Sequence, residues 1–340
     1  MQRMLTMGLL VVLAGWGLAT GRPALAQAKP AVDVTFALDF TLLGRYAPWY
    51  VALDKGYYKA AGLNVKIIPG QGTAQAVQAL ESGVAQFSFS DVAALVLARS
   101  HGTSTAKFVM INYQKAPYAI FSLDPGANVT KPAQLKGLTI ASGAGSFTPK
   151  VIQGFMKEKG MDPASVKFVN IDPSARVSML LSGKVPSIET FIFGQAGISH
   201  SVKSGKLRTL LLANDGLELY ANGVLVQDAY LKAHPDIVRA FVAASLHGWH
   251  DALTNPDAAA AIETKYVPGL NRDVAAGEVK IVRDLAVTPE TKVHGLGWID
   301  PARMAKSVAF VVKYIGIEGK APPVDSLYTD AFLPKEPVRP

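Results

Sequence analysis

Phe40, Arg45, Tyr46 and Trp49 are crowded into "DFTLLGRYAPWY" at 39–50. Rings beside a guanidinium can enclose a planar or apolar molecule and hydrogen-bond or neutralise a polar or acidic group on it. The competing assignment is structural, with Trp49 and Tyr50 opening a helix that faces the core. Tyr50 is assigned to that core, and Phe40, Tyr46 and Trp49 to a pocket. Two loops offer polar partners: "PGQGTAQ" at 69–75 carries Gln71, and "GSFTP" at 145–149 carries Ser146 and Thr148. Each lies between a strand and a helix, where first-turn N–H groups can receive a ligand oxygen. Ordinary strand-to-helix turns use the same residues. Ser90 and Asp91 end "GVAQFSFSD", Ser142 lies in "TIASG", and Glu189 lies in "SIETF". Glu189 either meets a ligand donor or pairs with Arg176.

No reactive set accompanies these residues. The chain has no cysteine, which excludes disulfides, thiolate nucleophiles and Cys-ligated metals. Neither nucleotide-loop glycine pattern is present, nor is the GxSxG elbow of an activated serine. His247 and His250 in "HGWH" stand three apart, a spacing that can offer two imidazoles to a metal. No carboxylate completes an HExxH motif, so they are read as a surface or half-buried pair. The expectation is a binding protein, not an enzyme, with no cofactor and no metal.

Several elements must position the candidate residues. "VDVTFAL" at 32–38 reads as a first strand, 49–59 as a helix and "VKIIPG" as a second strand. A helix over 73–82, the strand "GVAQFSFS" and the helix "VAALVLARSHG" follow. The same alternation resumes beyond residue 124, which is the rhythm of α/β units with parallel sheets. Two lobes are expected, at 32–121 and 124–220, with chain crossings near 122–125 and 220–226. Helices within 227–318 brace the lobes, partly as a component of lobe 1, and a proline-rich tail occupies 319–340.

The 340 residues are 49% hydrophobic and 18% charged, enough to bury a large core. Arg3, an apolar run and the small-residue segment "ALAQA" at 24–28 form the pattern of a secretory signal peptide, expected at 1–26, with cleavage after Ala26 or Ala28. The apolar run is short for a span of about 20 residues. Cleavage after Ala26 would remove two arginines and no acid, lowering the formal charge from +8 to +6. The lysines are scattered, so no nucleic-acid partner is expected.

The segment "YVALDKGYYKAAGLNVKIIPGQGTAQAVQALESGVAQFSFSD" at 50–91 resembles periplasmic solute-binding proteins of the nitrate, taurine and alkanesulfonate group. It is most similar to their thiamine-pyrimidine-precursor-binding branch. "LKGLTIASGAG", "VSMLLSGKV" and "GWIDPARM" extend the resemblance over about 33–318. The resemblance implies a bilobal type II binding-protein fold with a two-strand hinge. It also implies a periplasmic protein that hands a small solute to an inner-membrane ABC permease, and a monomer is expected. At the pocket the chain keeps Asp39 of that branch. It has Phe40 in place of a Trp, Leu42 and Leu43 in place of Pro-Asn, Tyr46 in place of a His and Pro48 in place of a Gly. The solute is therefore left open among pyrimidines, aromatic carboxylates and sulfonates. The alternative is an exported enzyme of the same fold acting on a small carboxylate or pyrimidine. One such enzyme needs a cysteine-rich iron-binding motif that this chain lacks, and another class is cytoplasmic.

Overall fold

The computed structural model describes residues 30–143 and 146–340. The expected signal peptide lies outside these residues. Among the described residues, ten strands build two five-stranded sheets. They are β1 (Val32–Ala37), β2 (Leu63–Ile68), β3 (Phe87–Asp91), β4 (Lys107–Ile111), β5 (Tyr118–Asp124), β6 (Thr139–Gly143), β7 (Lys167–Ile171), β8 (Ser187–Phe191), β9 (Lys206–Leu211) and β10 (Asn222–Val226). One sheet has the order β2-β1-β3-β10-β4 and the other β7-β6-β8-β5-β9. In each, the fourth strand runs antiparallel to both neighbours and the flanking first three strands pair in parallel. The parallel strands are joined by helical crossovers that cover the sheet faces.

The antiparallel strand is the one donated across the chain crossing. Residues 112–117 carry the chain from β4 into β5, and residues 212–221 return it from β9 to β10. This corrects the expected first crossing at 122–125. Tyr118 to Asp124 lie wholly inside the second sheet, where Asp124 still pairs with Lys206. The boundary of lobe 1 accordingly moves back from 121 to the end of β4. The expected single helix over 49–59 is two helices, Ala47–Asp54 and Tyr57–Ala60. Gly56, at φ 74°, makes the break between them.

The helix Pro235–Thr254 packs on the first sheet through stacked and edge-on rings. Phe241 lies 3.9 Å from Phe87, and Trp249 lies 5.3 Å from Trp49. The helix Arg272–Ala286 reaches further. A Cβ on Gly277 would come within 3.0 Å of Ala196, which belongs to the second-lobe helix Gly194–Ser201. The last long helix, Pro301–Phe310, lies beside Val92–Ser100 of the first lobe. Its end meets Thr148–Glu158 of the second lobe at Gly154, where Phe310 and Tyr314 leave no room for a Cβ. The C-terminal helices thus contact both lobes. The proline-rich segment is docked as well. Phe108 N–H bonds Leu327 O at 2.8 Å, Thr329 N–H bonds Phe108 O at 2.9 Å, and Leu327 and Phe332 are buried.

Candidate functional site

The strand directions place one polar edge of each sheet beside the crossings. On the first sheet, Asp39 follows β1, Asp91 ends β3, Asn112 and Tyr113 follow β4, and Asn222 begins β10. All are buried. Asp39 is the hub of this edge. Arg45 Nη2 donates to both of its oxygens at 2.9 Å, Tyr46 OH donates at 2.7 Å, and Asn222 Nδ2 donates at 3.0 Å. Burial opposes the Arg45 charge. The Asp39 carboxylate, together with Tyr46 and Tyr113 beside it, outweighs burial and holds the arginine pKa well above its ordinary value.

The loop that carries Arg45 is held from behind. A Cβ on Gly44 would stand 2.3 Å from Ala275 Cα, so only glycine lets the loop sit this close to the helix Arg272–Ala286. From that helix, Glu278 Oε2 accepts the Arg45 backbone N–H at 3.1 Å. Burial pushes Glu278 up to about 7. Glu263 is fully buried, and neither of its oxygens has a hydrogen-bond partner among the described residues. Its burial, and then the charge of Glu278, push it up to about 9.

The second edge has a smaller network. Ser142 Oγ donates to Glu189 Oε1 at 2.8 Å, and Arg176 Nη1 donates to the same oxygen at 3.1 Å. Ser146 Oγ accepts Thr148 N–H at 3.2 Å, an ordinary helix-start contact. Two side chains of the second lobe reach the first edge. Tyr118 OH donates to Asp91 Oδ2 at 3.1 Å. Phe193 lies 5.1 Å from the Tyr113 ring and 5.2 Å from Arg45 Cζ. Burial pushes Asp91 up to about 7, against its bonds from Ala93 N–H and Tyr118 OH.

The expected site residues divide between these surroundings. Arg45, Tyr46 and Asp91 lie at the first edge, and Ser142 and Glu189 lie in the second sheet's own network. Glu189 takes the Arg176 partner that the sequence left as one alternative. Trp49 is a correction. It is fully buried, with Phe36, Phe89 and Trp249 at 4.7, 5.6 and 5.3 Å, so its ring belongs to the first-lobe core. Tyr46 is also fully buried, its hydroxyl spent on Asp39. Phe40 stands at the rim, 43% exposed. Gln71 is exposed on a neighbouring loop, where Gly70 N–H bonds Phe40 O. Ser90 Oγ donates to Thr73 O and serves the local turn. Of the two histidines, His250 Nδ1 is 2.8 Å from Arg339 O and His247 packs on Tyr57.

Asn112, Tyr113, Phe193, Asn222 and Glu278 are the edge residues that the sequence reading passed over. The usable signal was a polar residue at the end of an apolar strand, as in "FVMINYQ" and "YANGVLV". A depression of about 350 Å³ lined by Leu38, Pro69, Gln75, Gln78 and Val84 lies apart from these residues, against the helix Thr73–Glu81.

A family model described as NMT1/THI5 like matches residues 44–259. The riboflavin-binding protein RibY of Chloroflexus aurantiacus is 28% identical, with the alignment covering 98% of this chain and 98% of that one. A formylaminopyrimidine-binding protein of Halalkalibacterium halodurans is 22% identical over 62% of this chain and 63% of its own. Among solved structures, the periplasmic aliphatic sulphonate binding protein SsuA of Escherichia coli superposes with a TM-score of 0.68. It is 13% identical, with 86% of this chain and 91% of that one covered, and shares the fold.

Proposed function

The chain belongs to the NMT1/THI5-like family, and from that premise we propose that it captures a neutral, planar nitrogen heterocycle and delivers it to an ABC importer. The solute binds between the two polar edges. The observation that carries this reading is the neutralised arginine. Asp39 already holds both the charge and one face of Arg45, and Arg176 on the opposite edge is held by Glu189. An anionic solute would therefore compete with two carboxylates for two cations. A neutral ring bearing donors and acceptors meets no such cost. The relatives named above bind, by their names, riboflavin and a formylaminopyrimidine, both planar nitrogen heterocycles.

Residues 112–117 and 212–221 are the hinge in this reading. Opening parts Phe193 from Tyr113 and Arg45, and closure around the solute restores a compact form that the permease distinguishes. No bond is made or broken, and the solute comes back unchanged. The protein works in the periplasm as a monomer. Among the described residues no helix is long and apolar enough to cross a membrane.

A thermal-shift panel tests the solute class. At a hundred times its dissociation constant a ligand adds about 2.7 kcal/mol of apparent stability. Riboflavin or an aminopyrimidine should raise the melting temperature, and nitrate and alkanesulfonates should not. A shift produced by the anions alone would overturn the neutral-ring reading. Recovery of a chemically altered solute after denaturation would overturn the assignment as a binder.

A further inference from the structure

Arg45 Nη1, Tyr113 OH and Asn222 Oδ1, three of the buried polar atoms on the first edge, have no hydrogen-bond partner among the described residues, and neither has Asn112 Oδ1 beside them. They belong to one cluster. Arg45 and Asn222 share Asp39. The N–H groups of Asn112 and Tyr113 both bond the Asn222 backbone carbonyl, at 3.0 and 3.1 Å. Phe193 covers Arg45 and Tyr113 together. Leaving such groups unpaired in a dry interior is costly, and native proteins seldom do it without a use.

The chemistry of the three atoms is fixed by their partners. The Asp39 carboxylate can only accept, so the Asn222 amide must present its NH2 to it. The Asn222 carbonyl is then committed as an acceptor facing elsewhere. Arg45 Nη1 can only donate, and Tyr113 OH is free to donate. Arg45, Tyr113 and Asn222 therefore offer two donors and one acceptor, with an aromatic ring to lie against.

We infer that this cluster reads the carbonyl–NH–carbonyl edge of a cyclic imide or ureide on a planar ring. The inference rests on the solute-binding reading of the site and refines it. The ring N–H donates to Asn222 Oδ1, its two carbonyls accept from Arg45 Nη1 and Tyr113 OH, and Phe193 lies against the ring. An aminopyrimidine edge offers a ring nitrogen acceptor beside an amino donor. It satisfies Asn222 and one donor and leaves the other unpaired. A carboxylate or sulfonate offers acceptors only and sets an oxygen against Asn222 Oδ1. The cluster thus selects among planar heterocycles by the order of groups along one edge, as polar sites reject analogues that leave a buried group unpaired.

Calorimetric titration of the purified mature chain tests this with two matched pairs, lumiflavin against 3-methyllumiflavin and uracil against 3-methyluracil. A 4-amino-5-hydroxymethylpyrimidine completes the set. At least one unmethylated imide should bind, its N3-methyl partner about a hundredfold weaker, and the aminopyrimidine at least about tenfold weaker. Tyr113→Phe keeps the buried ring and removes only a hydroxyl beside Arg45, so its melting temperature should change little. Its affinity for the imide should fall about tenfold or more. Equal binding of a methylated pair, tighter binding of the aminopyrimidine, or full affinity in Tyr113→Phe each overturns the imide assignment. So does failure of both imides to bind. In that last case, binding of the aminopyrimidine or a sulfonate leaves the protein a solute binder, and silence across every class removes that reading too.

Discussion

The two sheets have the same strand order and different edges. After β1 comes a buried network in which one carboxylate serves an arginine, a tyrosine and an asparagine. Near the end of the equivalent strand β6 stands a serine, bonded to a glutamate that one half-buried arginine also holds. The first edge also has its loop clamped by Gly44 and Glu278, whereas the second begins an ordinary helix turn at Ser146. One topology therefore carries a rigid, charge-balanced floor and a lighter cover. In the proposed reading specificity resides where the polar groups are most constrained by one another, because a fixed hydrogen-bond direction cannot adjust to a wrong partner.

Removing the hub of each edge gives the largest contrast. Asp39→Ala leaves Arg45 buried without its counter-charge, and should cost about 3–5 kcal/mol in urea unfolding. Glu189→Ala strands a partly exposed Arg176, and should cost about 1–2 kcal/mol. Equal losses would mean that the two edges are energetically alike. Next in size is the pH dependence supplied from behind the first edge. Glu263 and Glu278 have folded pKa values of about 9 and about 7, above their ordinary range because of burial. Such carboxyls stabilise the fold while protonated, and that contribution is lost as pH rises from about 5 through those values. Stability should fall between pH 5 and 9, and Glu263→Gln should flatten the curve above pH 7. One proton's linkage is a slope of about 1.4 kcal/mol per pH unit. An unchanged profile in the variant would remove Glu263 from the account. The smallest effect belongs to the rim. Phe40→Ala should alter stability by less than about 0.5 kcal/mol, whereas the same change at Trp49 empties a core position and should cost about 3–5 kcal/mol. A reversal of that order would return Trp49 to the site.

The fold and the family could be read in the sequence because the strand–helix rhythm and the 50–91 segment are local signals. The crossing was misplaced because "SLDP" at 122–125 has the look of a chain break. There Asp124 instead ends a strand that is registered against β9. The true crossing, "NYQKAP", carries weaker turn chemistry. Arg45 was found, but its role depends on Asp39 and on Asn222, which arrives from the far side of the second lobe. Trp49 was misjudged for the same reason. A ring at a helix start is ambiguous until Trp249, from a distant helix, closes over it. Sequence separation hides such partners, and the charge of a buried group cannot be assigned until its partner is known.

The docked tail has a consequence for handling the protein. β4 is the last strand of its sheet, and Leu327 and Thr329 bond the backbone of Phe108 along its open side. Ile111, at the other end of β4, is paired in the same way with Gly297. These segments occupy hydrogen-bonding positions through which an uncovered edge strand recruits the edge of another molecule. A version shortened before Leu327 would lose a guard against self-association, and its failure would show first as aggregates rather than as weakened capture of solute.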